Sequence, residues 1–216
     1  MTQVVIAVRG GPGAKSRLAP LLTPAERERL TGLMLEDMLA AARRAKGVRN
    51  IFVVTPTPAI ATLARRLGAE VIRQDAPNGL NAAFEQALGV IGDRAPYSAI
   101  ALLMGDLPLI EPNEIEAAIA LSQTHAVVLA PAATDGGTGA LILRAGARIE
   151  LMFGPQSFQR HRAAARLAGL STGVVEASGL SRDLDRPEDL AALAASPSQG
   201  RAARFLRQRL SGRIAP

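Results

Sequence analysis

The chain has no cysteine, no tryptophan and only two histidines, His125 and His161, among its 216 residues. Disulfides, thiolate nucleophiles and zinc fingers are therefore excluded, and a histidine metal cage cannot be built, so any metal here must be held by oxygen. Aromatic residues make up 3% of the chain, with one tyrosine and five phenylalanines, which leaves few platforms for stacking single-stranded bases. The longest apolar runs, such as Ala99 to Met104, fall far short of the roughly 18 residues that a membrane span needs. The first residues also lack the basic-then-apolar build of a secretory leader. A cytoplasmic protein with neither a membrane nor a nucleic-acid partner is expected.

Lysine is scarce too, with 2 among 25 cations. The net charge of +6 is concentrated in Arg201, Arg204, Arg207, Arg209 and Arg213, within a final stretch of twenty residues that contains no acid. Those five arginines carry all but one unit of the excess, so the body of the chain is nearly neutral. Abundant arginine and alanine fit the coding bias of a GC-rich bacterium. At 48% hydrophobic and 20% charged, the chain can bury a core, and its length suits one α/β domain better than two small ones. The expected division is a globular domain over 1–195 and a basic tail or amphipathic helix over 196–216, after the break Ser196-Pro-Ser-Gln-Gly200.

The periodicity alternates. Gln3 to Val8 is a β-branched apolar run, and Thr23-Pro24-Ala25-Glu26 then supplies a cap hydroxyl, a first-turn proline and a capping-box glutamate for a helix reaching about Ala45. Asn50 to Thr55 reads as a strand, Pro58 to Leu67 as a helix stopped by Gly68, and Glu70 to Ile72 as a third strand. A helix from about Leu80 to Ile91, the strand Ala99 to Met104 and a helix opened by Pro112 continue the pattern. Strands at Ala126 to Ala130 and Ala140 to Arg144, a helix near Phe158 to Ala168, apolar Gly173 to Val175 and a helix after Asp185 complete it. Such alternation implies a largely parallel sheet covered by helices on both faces.

In an open parallel sheet, ligands gather at the carboxyl ends of the strands. After the first strand comes Arg9-Gly-Gly-Pro-Gly-Ala-Lys-Ser-Arg17, in which Gly11 and Gly13 let backbone N–H groups approach an anion and Lys15 and Arg17 can neutralise phosphate. The run fits neither common phosphate-binding glycine motif, so a plain turn remains open. After the strand Ala99 to Met104 comes Gly105-Asp106, where a carboxylate must be paired, bind a cation or bond its own turn. Asp183-Leu184-Asp185 places two carboxylates on one side of an extended segment, as in shared divalent-metal sites, although Asp185 could instead cap the next helix. Gly137, Thr138, Gly139 and Ala140, with Gly154 and Ser157, form small-residue loops suited to a compact anion, and Gly79 and Asn81 either open a helix or touch a base. His161, on an arginine-rich helix, reads as a surface residue.

Taken together, Ala14-Lys-Ser-Arg-Leu-Ala-Pro20, Gly79-Leu-Asn-Ala-Ala83, Gly105-Asp-Leu-Pro-Leu109, Gly136-Gly-Thr138, Phe153-Gly-Pro-Gln-Ser-Phe158 and Asp183-Leu-Asp-Arg-Pro-Glu-Asp-Leu190 resemble the guanylyltransferase family of coenzyme F-420 biosynthesis. The resemblance implies a Rossmann-like, three-layer nucleotidyltransferase fold with a mainly parallel mixed sheet. It also implies GMP transfer from GTP to a small phosphorylated carboxylic acid: phosphoenolpyruvate, 3-phospho-D-glycerate or 2-phospho-L-lactate. On that reading Lys15, Arg17, Asp106 and Asp183 are catalytic, and Mg2+ is held by Asp106, Asp183 and Asp185. GTP lies on Gly11, Gly13, Lys15, Gly79 and Asn81, while the acid lies on Gly137 to Ala140, Gly154 and Ser157. The family usually has a lysine near the end of the first strand, where this chain has Arg9. Other acceptors, such as a molybdopterin or a sugar phosphate, and a non-catalytic nucleotide- or RNA-binding module are the alternatives, and assembly as a homodimer is left open.

Overall fold

The computed structural model describes residues 1–74 and 78–211. Strands β1 (Thr2–Ala7), β2 (Val48–Thr55), β3 (Glu70–Arg73) and β4 (Ala99–Met104) alternate with helices α1 (Pro24–Arg44), α2 (Pro58–Arg66) and α3 (Gly79–Arg94). There follow α4 (Pro112–Leu121), β5 (Val127–Pro131), β6 (Thr138–Leu143), α5 (Ser157–Leu167), β7 (Thr172–Val174), α6 (Ser178–Ser181), α7 (Pro187–Ala195) and α8 (Arg201–Ser211). The sheet order is β3-β2-β1-β4-β6-β5-β7. All neighbours are parallel except β6, which runs against both β4 and β5.

Alternating residues along the strands divide the core into two layers. Val4, Ile6, Val53, Ala101, Leu103 and Ile142 pack under α1, α2 and α4, whereas Val5, Phe52, Leu102, Leu129 and Leu141 pack under α3 and α5. Because β1 is buried on both faces, its run is apolar throughout its middle, as a central parallel strand requires. The start of α1 follows its local chemistry: Glu26 N donates to Thr23 Oγ1 at 3.3 Å and Thr23 N donates to Glu26 Oε2 at 2.8 Å, with Pro24 in the first turn.

A third cluster joins Leu18, Leu22, Leu30 and Met34 to Leu184, Leu190 and Leu193 and to Ala202, Ala203 and Leu206 of α8. The first turn of α8 is capped by Asp37, which accepts from Arg201 N and Ala202 N at 2.9 Å each. The basic segment is thus a helix packed on α1 and α7, and the last five residues of the chain lie outside the described residues. Among the described residues no helix is long and apolar enough to cross a membrane.

Candidate active site

The ends of β1 and β4 lie side by side, with Ala7 opposite Met104, so the loops that follow them must meet. The approach is close: a Cβ on Gly105 would stand 2.3 Å from the carbonyl oxygen of Ala7, so only glycine fits there. Asp106 is thereby delivered beside the glycine-rich loop. Lys15, in a left-handed conformation at φ 52°, reaches across to Asp106, with Nζ 2.6 Å from Oδ2 and 3.7 Å from Asp185 Oδ1. Arg17 pairs with the other oxygen of Asp185. The backbone N–H of Leu184 donates to Asp106 O at 3.0 Å, tying the two acidic segments together.

These groups form one end of a cleft of about 380 Å³, whose walls include Arg9, Gly13, Lys15, Gly79, Leu80, Asp106 and Asp185. That size suits a small-molecule ligand. Asp185 does not cap the next helix: Asp189 does so, accepting from Asp185 N at 2.9 Å and from Arg186 N at 2.7 Å. Asp183, expected beside Asp185, opens instead onto an adjoining recess of about 300 Å³ with Thr134 and Arg182. Burial and the neighbouring Asp106 charge push its carboxyl up to about 6.

Three observations bear on a cation. Asp106 Oδ1 is buried without a hydrogen-bond partner among the described residues, Asp183 resists carrying its charge alone, and Lys15 and Arg17 neutralise the other carboxylate oxygens. No three acidic or histidine side chains among the described residues converge into a complete cage. A divalent cation at Asp106 Oδ1 would therefore have to take most of its ligands from phosphate and water.

The acceptor-side loops are also brought together. Gln156 N donates to Asp135 O at 3.0 Å and Phe158 N to Gly136 O at 3.1 Å, zipping the segment around Gly137 to that around Gly154. The hydroxyls expected to face a ligand point inward, however. Ser157 Oγ donates to Thr138 Oγ1 at 3.0 Å, and both residues are buried. His161 is buried as well, contrary to the surface position expected of it, because it occupies the one inward face of α5. Burial, aided by the Arg160 charge, pushes its imidazole down to about 4, so it is neutral near pH 7. Met152 N–H donates to Nε2 at 2.9 Å, which assigns the proton to Nδ1, where it meets Thr138 Oγ1 at 3.0 Å. The backbone N–H groups of Gly137, Gln156, Ser157 and Phe158 are likewise engaged within the loops, Gly137 N donating to Asp135 Oδ1 at 2.8 Å and Ser157 N to Gly154 O at 3.1 Å.

Two further placements differ from expectation. Asn81 is not aimed at the cleft: its amide holds the backbone of Phe153, accepting from N at 2.7 Å and donating to O at 3.3 Å. Gly11 shapes the loop by accepting from Ala14 N at 2.9 Å, but it does not line the cleft, whereas Gly13 does. A residue that the sequence reading missed is Gln74, directly after β3. It is 7% exposed, lines the cleft, and its amide has no partner among the described residues. The rule that ligands gather at strand carboxyl ends, applied to the third strand, would have found it.

The sequence matches the family Guanylyl transferase CofC like over residues 2–212. The chain belongs to this family. A 3-phospho-D-glycerate guanylyltransferase from Phenylobacterium zucineum is 49% identical over 208 residues, covering 95% of each chain. A phosphoenolpyruvate guanylyltransferase from Rubrobacter xylanophilus is 40% identical over 193 residues, covering 89% of this chain and 93% of that one. Among solved structures, a nucleotide-diphospho-sugar transferase from Desulfovibrio desulfuricans superposes with a TM-score of 0.82 at 18% identity, covering 97% and 95%. A CMP:2-keto-3-deoxy-manno-octonic acid synthetase complexed with CTP gives 0.60 at 18%, covering 90% and 97%. The CofC-like chain thus has the nucleotidyltransferase fold and is an enzyme of that class.

Proposed function

We propose that the protein transfers GMP from GTP to a small phosphorylated three-carbon acid, with 3-phospho-D-glycerate as the first acceptor to test, in coenzyme F-420 biosynthesis. The observation that carries this reading is the bridge from Lys15 to Asp106 and Asp185 at the mouth of the cleft. It sets a phosphate-binding cation against carboxylates that suit a divalent ion. The identity to the 3-phospho-D-glycerate enzyme favours that acceptor, and the phosphoenolpyruvate relatives supply the second reading.

In the reaction a phosphate oxygen of the acid attacks the α-phosphorus of GTP, the bond to the β-phosphate breaks, and pyrophosphate leaves. No protein nucleophile is required. Lys15 and Arg17 stabilise charge on the α-phosphoryl oxygens and on the leaving pyrophosphate, while Gln74 offers the base one donor and one acceptor. The zipped loops around Gly137 and Gly154 shape the wall against which the acid is held. Magnesium, held at the open oxygen of Asp106 and completed by phosphate and water rather than by Asp183 and Asp185 together, would supply the charge neutralisation that lets two anions approach. A panel of acceptors assayed for pyrophosphate release with GTP tests the reading. Release supported by 3-phospho-D-glycerate is expected. Release supported only by phosphoenolpyruvate would favour the second reading, and release with neither would overturn both.

A further inference from the structure

Arg27 lies in the first turn of α1 and is 6% exposed. Its side chain points back toward the helix start, as helical side chains do, and there it gathers three carbonyls of the preceding loop. Nη2 donates to Pro12 O at 2.9 Å, Nε to Ala14 O at 3.2 Å and Nη1 to Leu22 O at 2.9 Å. It forms no ion pair with any described carboxylate.

For stability alone this is a poor place for a cation. A buried charge ordinarily has a counter-charge, and the N-terminal end of a helix already carries partial positive charge, which disfavours another cation nearby. Lys15, one residue beyond Ala14, also holds a left-handed backbone at φ 52°. Such strain persists only where the surroundings over-determine it, and the Nε–H donated to Ala14 O is part of that constraint.

We propose that Arg27 is a positioning residue for the nucleotide's phosphates. Its guanidinium fixes the loop from Pro12 to Leu22 through three carbonyls so that Lys15 faces the cleft. The inference rests on the reading of the 9–17 loop as the phosphate site.

The test is calorimetric titration of inorganic pyrophosphate in magnesium buffer into the wild-type protein and into Arg27→Lys, Arg27→Met and Lys15→Ala. Arg27→Lys keeps the charge without the planar fork, and Arg27→Met removes both. The pyrophosphate Kd should rise at least tenfold in Arg27→Lys and further in Arg27→Met, while KM for the acceptor acid changes less than threefold. A merely structural arginine would lower the melting temperature and leave the Kd of the folded protein within twofold of wild type; that result overturns the inference. Should Arg27→Met not fold, the same criterion applied to Arg27→Lys decides. If Lys15→Ala loses pyrophosphate affinity while the Arg27 variants do not, the inference alone falls. If all three variants bind like wild type, the phosphate reading of the loop falls with it.

Discussion

At the scale of single residues, the site is a set of charges that are tolerable only together. Asp106 is held by the close passage of Gly105 over β1 and partnered by Lys15. Asp106→Asn should therefore retain the fold and lose about a hundredfold or more in turnover, as removal of a preorganised charge does elsewhere; circular dichroism and pyrophosphate release check the two halves of that statement. Asp185→Asn should fall in the same range, because its carboxylate faces the cleft and leaves the helix cap to Asp189. Asp183 gives a prediction in pH. Its folded carboxyl is pushed up to about 6 from the usual 3.8, so ionising it weighs against the fold, and the contribution of Asp183 to wild-type stability declines as pH rises from about 4 to 6. Without metal, Asp183→Asn should melt higher than wild type at pH 8 and no higher at pH 4; equal melting at both values would contradict the buried, repelled carboxylate. Gln74→Leu should lower kcat/KM for GTP by roughly tenfold, given about 1–3 kcal/mol for a lost buried hydrogen bond. Asp106 and Lys15 were legible because they follow apolar strands. Gln74 was hidden because a lone glutamine after a short strand resembles any surface amide.

At the scale of elements, α5 and α8 show how a polar sequence can hide a buried face. The helix at Ser157–Leu167 is crowded with arginine, yet its inner side carries Ser157, His161 and Ala165. His161 bridges Thr138 on β6 to the Met152 N–H, so His161→Ala would strip the Met152 N–H of its partner and leave Thr138 Oγ1 with Ser157 alone, a loss of about 1–3 kcal/mol. Thermal unfolding should report it, and acceptor KM should rise more than GTP KM because the zipped loops lose their anchor. In α8 three of the four arginines bind within the molecule: Arg201 pairs with Glu36 at 3.0 Å, Arg209 pairs with Glu26, and Arg207 donates to Ser196 O and Ser198 O at 3.0 and 2.7 Å. Ending the chain at Ser196 would remove Ala202, Ala203 and Leu206 from their cluster, which weakens the fold by about 3–5 kcal/mol, or roughly 10 °C in melting temperature. An unchanged melting temperature would show that the third cluster holds without α8. The helical period in Ala202, Phe205 and Leu206 was legible, but the surface they meet was not, since no local pattern identifies a distant partner.

At the scale of the whole molecule, the order and spacing of strands and helices could be read from the sequence, while the reversal of β6 could not. Thr138–Leu143 is buried at every position, and an apolar run buried on both faces reads the same in either direction. The reversal has a consequence for how the enzyme can be altered. With Leu103 opposite Ala140 and Pro131 opposite Thr138, the beginning of β6 reaches the rim where β1 and β4 finish. One rim is thus assembled from two separable parts: the parallel half, where we propose the nucleotide binds, and the hairpin of β5 and β6 with its return to α5, where we propose the acid binds. Residues 132–158 form a cassette that leaves the rim and re-enters it without crossing the nucleotide cleft. Exchanging that cassette for the matching stretch of a phosphoenolpyruvate guanylyltransferase should change which acid is accepted and leave KM for GTP within about threefold, so acceptor choice in such a chain can be transplanted as a unit.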